Sequence, residues 1–343
     1  MPSRRCSPRR LVRVRQFPYL DPRRRRFPDP PAPLGTIQTT IPAPGGPAVA
    51  LVEDGSVWIA DHRSPTLFRL DPQTGGISAT VSLDPTGRFD HTALLVAGVG
   101  GPWALPFAID THESALVHID AATNGLLTSP QLQRALQTLG LNGADMVADT
   151  ASGLWAAASD IDGTIVAELD RSDGHILRTA RVAGPAPVHV LLPAFGSLWL
   201  GGWGNPIVDR LDPTTGRLTA AVTLPSWPVS LAAGAEALYV AQADGSVARV
   251  DPARECVTAV AFLGGAATDP TVGGQDAISI AVGSAAFYVG YDRGAIATLD
   301  LRTLAVRRAV RVDSQDFQGG LAASDGSVWY PTFGNDTILR IKR

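Results

Sequence analysis

Imidazoles and carboxylates recur in this chain at places where they could share one opening. His62 follows Asp61, His91 follows Asp90, His112 sits between Asp110 and Glu113, and His189 stands in a short apolar run. Side chains of these two types, converging on one site, can bind a divalent metal or move protons in acid–base chemistry. His91, His189, Asp61 and Asp90 are the candidates for such catalysis, and Asp145, Asp160, Asp162 and Asp276 could join them. Their spacing is not local and fixes no tetrahedral or octahedral set, so no metal ligand is assigned and a solvated polar rim is the competing reading. Trp203, Trp227, Tyr291 and Phe333 could stack a sugar or a base, or could pack locally. The ligand-binding set read from the sequence is His62, His112, Trp203, Trp227 and Asp276. No nucleophile elbow, phosphate-binding loop or dinucleotide fingerprint is present, which leaves serine hydrolase, nucleotide and nicotinamide chemistry without support.

The elements that must position these residues are written as a repeat, seen most plainly in residues 196–224. Leu198, Trp199 and Leu200 form an apolar run between Gly196 and Gly201, as a buried strand between turns does. Ile207 to Leu211 makes the next strand, Asp212-Pro213-Thr214-Thr215-Gly216 a hairpin turn, and Leu218 to Leu224 an outer, half-exposed strand. The strand aromatic recurs as Trp58, Trp103, Trp155, Trp199, Tyr239, Tyr288 and Trp329, at intervals of 40 to 52 residues. The turn aspartate follows six of them, at Asp71, Asp120, Asp170, Asp212, Asp251 and Asp300. These aspartates lack the ligand density of a calcium loop and are read as turn formers. A period in the forties with about four strands per copy predicts an all-β, seven-bladed β-propeller of four-stranded antiparallel blades. The innermost strands are expected near 48–52, 91–97, 144–148, 188–192, 228–232, 277–282 and 319–323. Because each strand reverses direction, the loops leading into the blades and those after the second strands share one face, and the candidate residues belong to it. The seventh copy ends at Arg343 without an outer strand, and Gly35 to Ile41 reads as the missing one, so the N-terminal strand is expected to complete the last blade and remove a sheet edge.

Residues 1–33 read as a disordered arm and 34–343 as the single propeller domain. The arm carries ten Arg against Asp21 and Asp29, so a net charge of −3 divides into +8 for the arm and −11 for the rest. A basic arm could anchor to nucleic acid or an acidic membrane, or could be an over-extended start or linker remnant. The blades continue no basic pattern, so nucleic acid is not expected as a partner of the propeller. No apolar run spans a membrane, and the arm's twin arginines lack the apolar stretch of an export signal. The default is therefore cytoplasmic, or extracytoplasmic if the start is misassigned. Ser129-Pro130 followed by Gln131 to Gly140 predicts a short helix over one rim, with Leu132, Leu136 and Leu139 on one face. Gly264 to Gly274 reads as a surface loop or a lid.

The blade motifs Gly55-Ser56-Val57-Trp58-Ile59-Ala60-Asp61, Leu238-Tyr239-Val240-Ala241 with Arg249-Val250-Asp251, and Asp325-Gly326-Ser327-Val328-Trp329 resemble those of the YVTN-repeat and streptogramin lyase-like propeller superfamily. The resemblance spans about residues 35–343 and is specific for fold more than for activity. It implies either a binding propeller or a magnesium-dependent lyase that opens a cyclic lactone by elimination, with His and Glu at the channel mouth. Lyase blades often read Trp-Phe-Thr-Glu, and of the seven fourth positions here only Asp61 is acidic. The leading expectation is a non-catalytic, monomeric binding module for a protein, glycan or small ligand, needing no cofactor. The alternative is a metal-dependent lyase or hydrolase using Mg2+.

Overall fold

The computed structural model describes residues 37–111, 113–127, 130–138, 146–160, 163–183, 188–262, 279–283, 286–291, 295–311, 320–324 and 326–342. The expected arm and the Gly264 to Gly274 loop lie outside these. Seven antiparallel sheets are arranged in a ring, a seven-bladed β-propeller. The fourth blade shows the unit: Val188–Ala194, Ser197–Gly202, Ile207–Asp212 and Arg217–Thr223, hydrogen-bonded in that order. The seven innermost strands begin at Pro47, His91, Met146, Val188, Pro228, Ser279 and Ala322. Each meets the innermost strand of the next blade, and the last meets the first.

Local chemistry sets the turns. Between the first two strands, Asp54-Gly55 and Phe195-Gly196 have φ of 47°, 69°, 53° and 65°, the pair of positive values that a two-residue hairpin needs to match strand twist. Between third and outer strands the turn aspartate accepts from the amide two residues on, as Asp212 Oδ1 does from Thr214 N at 2.7 Å and Asp71 Oδ1 from Gln73 N at 2.6 Å. Four residues after that aspartate the chain is left-handed in six blades, at Gly75, Asn124, Gly174, Gly216, Glu255 and Leu304.

The core is divided among the seven junctions between blades. Trp58, Trp103, Trp155, Trp199, Tyr239, Tyr288 and Trp329 are all buried, and each packs among apolar residues of the following blade. Trp58, for example, lies with Leu95, Ala104, Val117 and Ile119, and Trp329 with Ile59, Phe68 and Leu70. Three arginines complete this packing. Arg69, Arg210 and Arg340 stand directly across the ladder from Trp58, Trp199 and Trp329, with their guanidinium carbons 5.0, 5.6 and 5.1 Å from the ring centroids. Their Nε atoms donate to Ser56, Ser197 and Ser327 Oγ. Their Nη1 atoms cross to the next blade, reaching Ala121 O and Asn124 Oδ1, Glu255 Oε1, and Gln73 O.

The second blade departs from four even strands. Its third strand is interrupted between Glu113–Ser114 and Val117–Ile119, opposite Pro106, which accepts from Ala115 N but has no N–H to return. Among the described residues the outer strand is Leu126–Leu127. The predicted helix, Pro130–Thr138, fills the space: Leu132 and Leu136 join the core between blades two and three. Gln133 accepts from Leu116 N and donates to Ser114 O, replacing the missing strand partner. Leu139 lies outside the described residues.

Ile37–Pro42 pairs antiparallel with Thr337–Lys342, so the N-terminal strand does complete the seventh blade. Ile41 and Ala43 are buried beside Trp329. Removing residues 1–33 should therefore leave thermal unfolding unchanged, whereas removing 1–42 should expose the edge of Thr337–Lys342 and produce association or loss of cooperative melting. Identical melting and sedimentation of the two truncations would contradict closure by this strand.

Candidate functional site

Asp61 ends the second strand of blade one, and His62 follows it. Their surroundings leave little room: Gly45, at φ 121°, lies so near Asp61 that a Cβ there would fall 1.9 Å from Oδ2. His62 N donates to Gly46 O at 2.9 Å. The Asp61 carboxylate is spent within its own loop, Oδ1 accepting from Arg63 N and Oδ2 from Ser64 Oγ, both at 2.7 Å.

The loop into blade two delivers the second imidazole. Its organiser is Asp84, whose carboxylate accepts from Thr86 N at 2.9 Å, Phe89 N at 2.6 Å, Arg88 N and Thr86 Oγ1. Burial pushes that carboxyl up, yet the hydrogen bonds from Thr86, Phe89 and Arg88 outweigh it and hold it below the usual range. The loop ends in Asp90-His91, where Asp90 Oδ1 meets His91 Nδ1 at 2.5 Å and Asp90 Oδ2 accepts from Ile109 N at 3.1 Å. The bond to His91 is the main reason the Asp90 carboxyl lies low. His91 itself is buried, while Asp90 is half-exposed.

These residues belong to a row of rings across three blades. Phe333 lies 5.6 Å from His62, His62 5.1 Å from His91, and His91 5.0 Å from Phe107, all edge to face. Arg63 lies over Phe333 at 4.4 Å and pairs with Asp336 at 3.1 Å. Burial, then the neighbouring His91, hold the His62 imidazole below the ordinary histidine range.

A second row lies in blades four and five. His189, on the innermost strand of blade four, sits 4.7 Å from Trp203, and Trp203 lies 6.2 Å from Trp227. Trp203 follows the second strand of blade four and Trp227 precedes Pro228–Ala233, so both stand on the same face as His62 and His91. Of the sequence candidates, His62, His91, Asp61 and Asp90 are thus gathered in one place and His189, Trp203 and Trp227 in another. His112, Asp145, Asp162 and Asp276 lie outside the described residues.

Among the described residues the four catalytic candidates, Asp61, Asp90, His91 and His189, are not placed as a metal ligand set. Both Asp61 oxygens are engaged in the loop, Asp90 grips His91, and His189 stands two blades further on against Trp203. Among the described residues no group of three or more His, Cys, Asp or Glu is placed to hold a metal ion. Sequence reasoning did not single out Asp84, Phe107, Arg63 or Asp336. The Asp-Pro-Thr-Gly stretch at residues 84–87 was a readable signal for the first of these, because an aspartate before such residues accepts from amides downstream. Compared with known proteins, the chain matches no family model and no curated protein.

A histidine whose proton affinity falls on folding contributes stability that is complete above its unfolded value, about 6.5, and is lost as pH drops through the folded one. The parent should therefore lose more melting temperature than His62→Gln does when pH falls from 7.5 to 5.5. Equal losses would contradict the buried contact between His62 and His91.

Proposed function

We propose that this propeller is a non-catalytic binding module that recognises a protein, glycan or small ligand on the loop face around its central channel. One observation carries the reading: rings gather at strand ends on that face, while the carboxylates beside them are consumed in fixing loops and one histidine. Indole and imidazole rings offer an apolar face with a polar edge, the surface that stacks against sugars, planar rings or apolar side chains. The charge of the chain outside its arm argues against nucleic acid as the partner. Among the described residues no helix is long and apolar enough to cross a membrane. We further propose kinship with the YVTN-repeat and streptogramin lyase-like propellers, supported by the Gly-Ser-Val-Trp and Arg-Val-Asp blade pattern, with the protein acting as a monomer.

The Asp90–His91 pair supports a second reading, a lyase or hydrolase. A carboxylate on Nδ1 fixes the imidazole so that Nε2 is left to take a proton from a bound substrate. Its metal-dependent form lacks a donor set among the described residues.

Melting measured with oligosaccharides, short peptides, MgCl2 and MnCl2 as separate probes distinguishes the two. A ligand at a hundredfold excess over its dissociation constant stabilises the folded state by about 2.7 kcal/mol. The binding reading expects a shift from an organic probe that disappears in the Trp203→Ala/Trp227→Ala double variant, and none from either salt. A metal shift abolished by His91→Ala/His189→Ala would replace it with the metal-dependent enzyme.

A further inference from the structure

The opposite mouth of the ring carries a second group of ionisable side chains, unconnected with the candidate site. Glu53 ends the innermost strand of blade one and Asp149 that of blade three. Between them lies the glycine-rich turn of blade two, Ala97-Gly98-Val99-Gly100-Gly101-Pro102. Glu53 Oε1 accepts from Gly98 N at 2.7 Å, and Asp149 Oδ2 accepts from Val99 N at 2.9 Å and from Trp103 Nε1 at 3.1 Å. Two successive amides of one turn are therefore gripped by carboxylates from the blades on either side.

The two carboxylates are unequally supported. Asp149, with its side chain 1% exposed, has its own cation: Arg171 Nε lies 2.7 Å from Oδ1, and the same guanidinium donates to the Thr150 carbonyl. Glu53 has none. Its Oε2 is shielded from solvent without a hydrogen-bond partner among the described residues, and Asp54 from its own hairpin and Asp149 from blade three both act on it with like charge. Also at the turn is His118, stacked on Trp103 at 4.4 Å with its Nε2 3.1 Å from Gly101 O, with Asp120 beyond it. A shielded carboxyl beside a like charge is stable when neutral and costly when ionised.

We infer that Glu53 is a proton-controlled latch on the Gly98–Gly101 turn, closed while its carboxyl is protonated and released when it ionises. The protonated group keeps an acceptor oxygen for Gly98 N and needs no cation. The ionised group, uncompensated, gains by turning to water and gives up that bond. Gly100 and Gly101, at φ 87° and 140°, supply a backbone able to change course next to Gly98, while Val99 N stays held by Asp149. Burial pushes the Glu53 carboxyl up to about 7, against the lowering effect of the Gly98 bond, so the latch loosens as pH climbs from the ordinary carboxylate range toward neutrality. The sign follows: an acid whose proton affinity rises on folding contributes stability present at low pH and lost as pH climbs toward the folded value.

Amide exchange of the full chain, corrected for the intrinsic pH dependence, tests the latch between pH 5.5 and 8.5, with the Trp199 amide as control for global opening. Protection of Gly98 N–H in the parent should fall about tenfold from pH 5.5 to 6.5, the factor one pH unit gives a single proton between the free and the folded titration points, and should level off above about pH 7. In Glu53→Gln, whose neutral amide still accepts from Gly98, protection should stay level. A parent profile without the fall, or the same fall in Glu53→Gln, would overturn the inference.

Discussion

Each blade is fastened to the next by an aromatic side chain that its own second strand lends to its neighbour's core. Burying a ring of 150–250 Å2 at roughly 25 cal/mol per Å2 supplies about 4–6 kcal/mol per junction, against about 1.5–3 kcal/mol for a hydrogen bond to a charged group. Ring burial thus supplies most of the cohesion. The polar bond beside it sets the relative position of the blades, because it aims at one carbonyl in the neighbouring turn.

That second role explains an otherwise costly feature. A left-handed backbone four residues past the turn aspartate suits glycine, yet Asn124 and Glu255 occupy it in blades two and five. Both side chains accept from the arginine of the preceding blade, Arg69 and Arg210. In these two blades the strained position supplies an acceptor across the junction, whereas Leu304, left-handed at the same place in blade six, gives a buried apolar side chain to the core beside Tyr239. Other blades reach the same end by other means: Arg178, held by Glu168, donates to Pro213 O, Tyr239 Oη to Leu301 O, and Trp103 Nε1 to Asp149. At the closure Arg340 reaches Gln73 O, so the last junction is made like the first although its strands come from opposite ends of the chain.

Blade number, strand order and closure were legible in the sequence because each is local or periodic: an apolar run, a turn aspartate, an aromatic in every copy. The arginines were not singled out, although each of the three stands eleven residues after its tryptophan. Their partners lie in the next repeat, and spacing within one copy does not reveal them. Pro106 was visible as a strand residue, but the gap it opens, and the way Gln133 fills it, depends on a helix packing against blade two. The candidate face was legible from topology alone. That Asp61 turns inward to Ser64 while Asp90 turns to His91 depends on side-chain direction, and two Asp-His dipeptides look identical in the sequence.

A rigid ring gives both rows of rings a fixed frame only if it behaves as one closed unit. Native-state hydrogen exchange resolved to the second-strand amides of Trp58, Trp155, Trp199 and Trp329, together with those of Ile37–Pro42 that pair with the last strand, measures this directly. In a closed ring the second-strand amides should open with a common free energy equal to that of global unfolding, and the closing strand should open with them. Opening of blade seven or of Ile37–Pro42 at a much lower free energy, with the other blades still protected, would contradict closure as one unit.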